Sequence, residues 1–120
     1  MGELVVLDFE TTGLSSERDR VIEIGAVILN WMGEIVRTFQ TLCNPPLIEP
    51  LNPFITGLTG ITGKMLIGKP STAEAMRGLY DFIGTRPIVA HNAKFDSKFL
   101  KAEMNRINKS VLNQFLCSLL

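Results

Sequence analysis

An α/β fold built on a mixed sheet is the architecture this sequence predicts, and three observations predict it. Two strand-like apolar segments, Val21 to Leu29 and Glu34 to Leu42, flank a short turn and read as a hairpin. The second half alternates a short strand with amphipathic helical patterns. The chain has 120 residues, 46% of them apolar, with scattered charge, which is enough for one packed domain and too apolar for a disordered one.

Taken in order, Leu4 to Asp8 reads as a buried strand, followed by a polar loop from Thr11 to Arg20. Val21 to Leu29 is nearly continuous Val and Ile, the pattern of a strand buried on both faces. Asn30 to Gly33 is the turn, and Ile35, Val36 and Phe39 mark the third strand. Asn44 to Pro53 holds four prolines and is expected to be extended loop. Gly57, Gly60, Gly63 and Gly68 make Thr56 to Lys69 a loop with at most a short helix. Ser71 and Glu74 have the spacing of a capping box, opening a helix that buries Ala75, Met76, Leu79, Phe82 and Ile83 and stops near Gly84. Pro87 to Ala90 is a fourth strand. Asn92 caps a helix from about Ala93 to Asn108, and Val111 to Cys117 is a fifth strand, with a further helix starting at 118–120. Trp31 and Phe39 read as packing residues.

Composition excludes several classes. No apolar run approaches the roughly 20 residues that a membrane span needs. The formal net charge is zero, so any nucleic-acid contact must be local. Cys43 and Cys117 lack metal-ligand spacing and read as free thiols in a reducing compartment. Without a charged-then-apolar leader, a cytoplasmic location is expected. The Gly57–Gly68 segment lacks the spacing of a phosphate-cradling loop.

The residue pattern that points to chemistry is Asp8-Phe9-Glu10 at the end of the first strand. Residues two apart on a strand share a face, so both carboxylates project together while Phe9 packs behind them. Such a pair either faces water or is held by cations. Asp96 falls on the apolar side of the last helix, beside Phe95, Phe99 and Leu100, where an unpartnered carboxylate is costly. Its alternative role is to interact with the positive helix terminus. Three carboxylates of this kind can hold two divalent ions about 3.5–4 Å apart, the arrangement that hydrolyses phosphodiesters. Glu23 reads as a strand-end charge or an outer support for the site. Lys94, Lys98 and Lys101 line the polar face of the last helix, and Glu103 reads as an ion-pair partner for a nearby base.

At this point the residues resemble a family. Asp8-Phe9-Glu10-Thr11-Thr12-Gly13-Leu14 resembles the first motif of the DEDD-type (DnaQ-like) 3′–5′ exonucleases. Val21 to Val27 is similar to their second strand, and Leu58-Thr59-Gly60-Ile61-Thr62 to their substrate-side loop. His91-Asn92-Ala93-Lys94-Phe95-Asp96, followed by Phe99-Leu100, resembles their second motif. In pattern the chain is similar to the proofreading epsilon subunit of bacterial DNA polymerase III and to the exonuclease segment of the Gram-positive replicative polymerase.

The resemblance implies a ribonuclease H-like fold: a mixed five-stranded sheet with flanking helices. It implies that Asp8, Glu10 and Asp96 are catalytic metal ligands for two divalent ions, Mg²⁺ or Mn²⁺. Thr11, Thr12 and Gly13 would approach the 3′-terminal nucleotide, Ile61 would pack near its base, and His91 and Asn92 would lie close to the scissile phosphate. The implied substrate is a single-stranded DNA 3′ end, and the implied partner is a DNA polymerase catalytic subunit.

One part of the family pattern is absent. A third motif, a histidine followed five residues later by aspartate, normally supplies the general base and a fourth ligand. His91 is the only histidine here. The spacing His91 to Asp96 fits that motif too, but Phe95, Phe99-Leu100 and the strand–helix setting fit the second motif better. The expectation is therefore a C-terminally incomplete domain, lacking helices that would cover the sheet and leaving an apolar strip exposed. The alternative function is a catalytically silent module that binds a polymerase or a nucleic-acid end.

Overall fold

The computed structural model describes residues 2–47 and 49–117. Strands β1 (Leu4–Thr11), β2 (Val21–Leu29) and β3 (Ile35–Leu42) form an antiparallel meander. Strands β4 (Ile88–Ala90) and β5 (Phe115–Cys117) extend the sheet on the other side of β1, running parallel, in the order β3-β2-β1-β4-β5. The expected five strands are all present, with β1 three residues longer than its apolar run and β5 confined to its last three residues. The helix start expected at 118–120 lies outside the described residues.

Alternation sets the two sheet faces. Val5, Leu7 and Phe9 pair across β1–β2 with Ile28, Ala26 and Ile24, and all six are buried. They pack beneath helices α3 (Thr72–Ile83) and α4 (Ala93–Arg106). The core residues expected of α3 are the ones it buries, and the Ser71 hydroxyl caps it by accepting from Glu74 N. The Glu74 carboxylate meets that same hydroxyl, at 3.2 Å.

Two expectations are corrected. Strand β2 is not buried on both faces: Glu23, Gly25, Val27 and Leu29 alternate as half-buried positions. Among the described residues, α3 and α4 cover one face only, and the other carries Val6, Asp8 and Glu10. The glycine-rich segment is not mainly loop. Asn52 caps α1 (Pro53–Thr59), accepting from Phe54 N at 2.8 Å, and Gly60 ends it at a φ of 79°. Thr62 caps the single turn α2 (Gly63–Leu66). The reason is tertiary: Ile55, Ile61 and Leu66 bury together against Ile22 in a second small core. That burial outweighs the modest helix cost of one interior glycine, Gly57.

Phe39 packs as expected, its ring 5.6 Å from that of Phe82. Trp31 does not. It sits on the β2–β3 turn at 66% exposure, because the turn is held from within by Asn30, whose side chain accepts from Met32 N and Glu34 N. Cys43 is fully buried and free. Burial first, then the Glu103 and Glu23 carboxylates, push its thiol up to about 12, which removes it as a nucleophile. Among the described residues no helix is long and apolar enough to cross a membrane.

Candidate active site

Three elements converge at the C-terminal end of β1. The strand itself presents Asp8 and Glu10 on the face not covered by α3 and α4. Antiparallel register places Gly25 opposite Asp8 and Glu23 opposite Glu10. The glycine puts no side chain beside Asp8, which stays exposed, and Glu23 adds a third carboxylate to the same patch. Helix α4 brings Asp96 in its first turn, after Asn92 caps the helix by accepting from Phe95 N.

Asp96 is the buried member, at 3% exposure, and its Oδ1 has no hydrogen-bond partner among the described residues. Burial, and next the Asp8 carboxylate, drive its carboxyl up to about 7; Glu10 adds to this and the Phe9 backbone N–H opposes it. The helix terminus that would favour its charge is overridden. Glu10 is also raised, by burial first and then by Asp8 and Glu23. Mutual repulsion, partial desolvation and a buried oxygen without a partner make this carboxylate group costly in the absence of a counter-charge. All-oxygen carboxylate donors suit hard divalent ions such as Mg²⁺ or Mn²⁺. The fit is one of donor chemistry, because among the described residues no three His, Cys, Asp or Glu side chains are already gathered into an ion cage.

Beside Glu10 lies a cleft of about 360 Å³. Its walls include Thr11, Thr12 and Gly13, and also Leu14, Phe54, Leu58 and Phe95. Leu14, Phe54 and Leu58 are 88%, 72% and 71% exposed, an unusual concentration of bare apolar surface next to carboxylates. Ile61 is not part of this wall. At 3% exposure it is locked in the second core, supporting the segment from beneath, and Leu58 faces the cleft in its place. His91 and Asn92 are exposed at the start of α4, between β4 and Asp96. Phe54 was not legible as a site residue, since it lies in a proline-rich stretch with no motif of its own. Leu58 was legible only as a member of the loop pattern.

Glu103 confirms its expected pairing in an unexpected place. It is 1% exposed and takes Arg20 at 2.9 Å, Arg106 at 3.1 Å and Val21 N at 3.0 Å. This ties the loop after β1 to α4. Lys94, Lys98 and Lys101 lie in water.

A mixed five-stranded sheet with a strand-borne acid pair and a helix-borne third acid defines a class, the exonucleases of ribonuclease H-like fold. Residues 5–120 match the RNase_T exonuclease family, and the chain belongs to it. It is 44% identical over 111 residues to DNA polymerase III PolC-type of Clostridium perfringens, covering 92% of this chain and 8% of that protein. It is 43% identical over 106 residues to DNA polymerase III subunit epsilon of Treponema pallidum, covering 88% of this chain and 48% of that protein. The chain thus spans less than half the length of either relative. In fold it is similar to exonuclease I of E. coli, solved with a dT13 oligonucleotide, with a TM-score of 0.87, 17% identity, and coverage of 98% of this chain and 28% of that one.

Proposed function

We propose that this chain is the metal-holding and nucleotide-holding part of a 3′–5′ exonuclease that trims single-stranded or frayed DNA 3′ ends, as proofreading for a replicative polymerase. The observation that carries the reading is the buried Asp96 carboxylate, with one oxygen unpartnered, close enough to Asp8 and Glu10 to be repelled by both, while Glu10 also lines an apolar cleft. The family supports hydrolysis, and the polymerase III relatives support a replicative setting, a polymerase partner and a cytoplasmic location.

In this reading Asp8, Glu10 and Asp96 hold two divalent ions, which when bound supply water activation and charge stabilisation at the leaving oxygen. The chain's own residues do the rest. Phe54, Leu58 and Phe95 take the terminal base, and their apolar surfaces exclude water around it. The Thr11–Gly13 backbone lies along the sugar side. His91 and Asn92, at the end of β4, face the phosphate. His91 is the only histidine in this sequence and is used at the phosphate, which leaves no second histidine here to activate water.

The test is a single-stranded oligonucleotide labelled at its 5′ end, incubated with Mn²⁺. The expected product is a ladder shortened from the 3′ end. Asp8→Ala, at an exposed position, should keep the fold and lose on the order of 10³-fold in rate, since ion-borne charge stabilisation is worth several kcal/mol. Equal rates for the variant, or immediate release of the 5′ label as mononucleotide, would sink the reading.

A further inference from the structure

The loop that follows the acid pair is organised around one side chain that the mechanism does not use. Asp19 Oδ1 accepts from the Thr12 hydroxyl at 3.1 Å, and Oδ2 accepts from Ser15 N at 2.9 Å. The Asp19 N–H in turn donates to Ser15 O at 2.7 Å. Thr12 closes the base of the loop, since its N–H donates to Arg20 O and its hydroxyl accepts from Arg20 N, each at 2.9 Å. The carboxylate lies directly against Gly13: a Cβ built there would sit 2.5 Å from Asp19 Oδ2, so no larger residue fits while Asp19 keeps its place. Arg106 anchors the outer part of the loop by donating to Ser16 O and Glu17 O. Leu14 is the residue left outside this knot, 88% exposed and lining the cleft next to Glu10.

A bare leucine on a flexible loop would fold back onto the neighbouring apolar surface. Holding it out requires the backbone on both sides to be pinned, and the Asp19 carboxylate does that with one oxygen on Thr12 and the other on Ser15. We infer that Asp19 is a positioning residue: it wraps the Thr12–Ser15 turn so that Leu14 stands as the movable-looking but fixed wall against which the terminal nucleobase is gripped. The inference rests on the cleft being the nucleotide site proposed above. It assigns Gly13 a definite role as well, the space that lets Asp19 approach.

The experiment is a titration of the full chain with thymidine 5′-monophosphate in the presence of Mn²⁺, with thermal melting and amide exchange at Ser15 as companions. Asp19→Ala should free the Ser15 amide and weaken nucleotide binding about tenfold, the effect of losing part of one apolar side chain's contact. Leu14→Ala, at an exposed side chain that no fold contact needs, should lose a similar factor without moving the melting point. Combining the two should cost no more than either alone. Gly13→Ala should weaken binding in the wild-type background and have no further effect with Asp19→Ala, because the clash is then gone. Unchanged affinity in Asp19→Ala with a freed Ser15 amide overturns the inference and leaves the cleft reading intact. So does a full additive loss in the Leu14→Ala, Asp19→Ala pair. A wild-type chain that binds no nucleotide overturns the cleft reading, and this inference with it.

Discussion

Replacing Asp96 by asparagine should make the protein more stable at pH 8 and leave it unchanged near pH 4. Unfolded, this carboxyl titrates near 3.8; folded, near 7. Between those values the folded chain holds a proton that the unfolded chain releases, so stability falls as pH rises through this window and the loss is complete above about pH 7. A gap of about three pH units at ~1.4 kcal/mol each caps the loss at about 4 kcal/mol. Because the group is 3% exposed, little solvent screening reduces it. Asparagine keeps the shape and removes the charge, so urea unfolding at pH 8 should show a gain approaching that cap, with a melting point higher by on the order of 10 °C. Near pH 4 the two proteins should coincide. Mn²⁺ at a hundredfold excess over its Kd should stabilise wild type at pH 8 by ~2.7 kcal/mol and the variant by less, because a ligand has been removed. A variant less stable than wild type at pH 8 would refute the reasoning, since the carboxylate would then stabilise the fold; so would one that differs equally at both pH values, since the effect would then not come from its charge.

Two further outcomes follow from buried polar groups. Glu103→Ala strands the Arg20 guanidinium, 17% exposed, and the buried Val21 N–H, so urea unfolding should show a loss of ~3–5 kcal/mol; Glu103→Gln, which keeps an acceptor, should lose less. The Thr72 hydroxyl, fully buried, donates to Val21 O at 3.0 Å, so Thr72→Val should cost ~1–3 kcal/mol despite its matching shape, measured by the same denaturation; a neutral result would mean that the carbonyl finds another donor.

Much of this protein was decided locally and is readable along the chain. Apolar runs bounded by turn residues placed the strands and period-3.6 patterns placed both long helices, because run length and local spacing are enough to select each kind of element. The Ser71 and Asn92 caps are local hydrogen bonds between near neighbours. Asp8 and Glu10 share a face by strand geometry alone, whatever the rest of the chain does. Tertiary structure decided the rest. That Asp96 joins the pair depends on α4 returning beside β1, a contact between residues more than eighty positions apart. Gly25 and Glu23 enter the site through β1–β2 register, which no single segment encodes. The glycine-rich 53–66 segment became two helices because Ile22 offered a place to bury Ile55, Ile61 and Leu66, and the same packing drew Ile61 inward and left Leu58 facing the cleft. Asp19 shows no pattern in the sequence at all. Its carboxylate acquires meaning only when the turn closes around it, since hydrogen bonds to Thr12 and Ser15 exist only in that one backbone path.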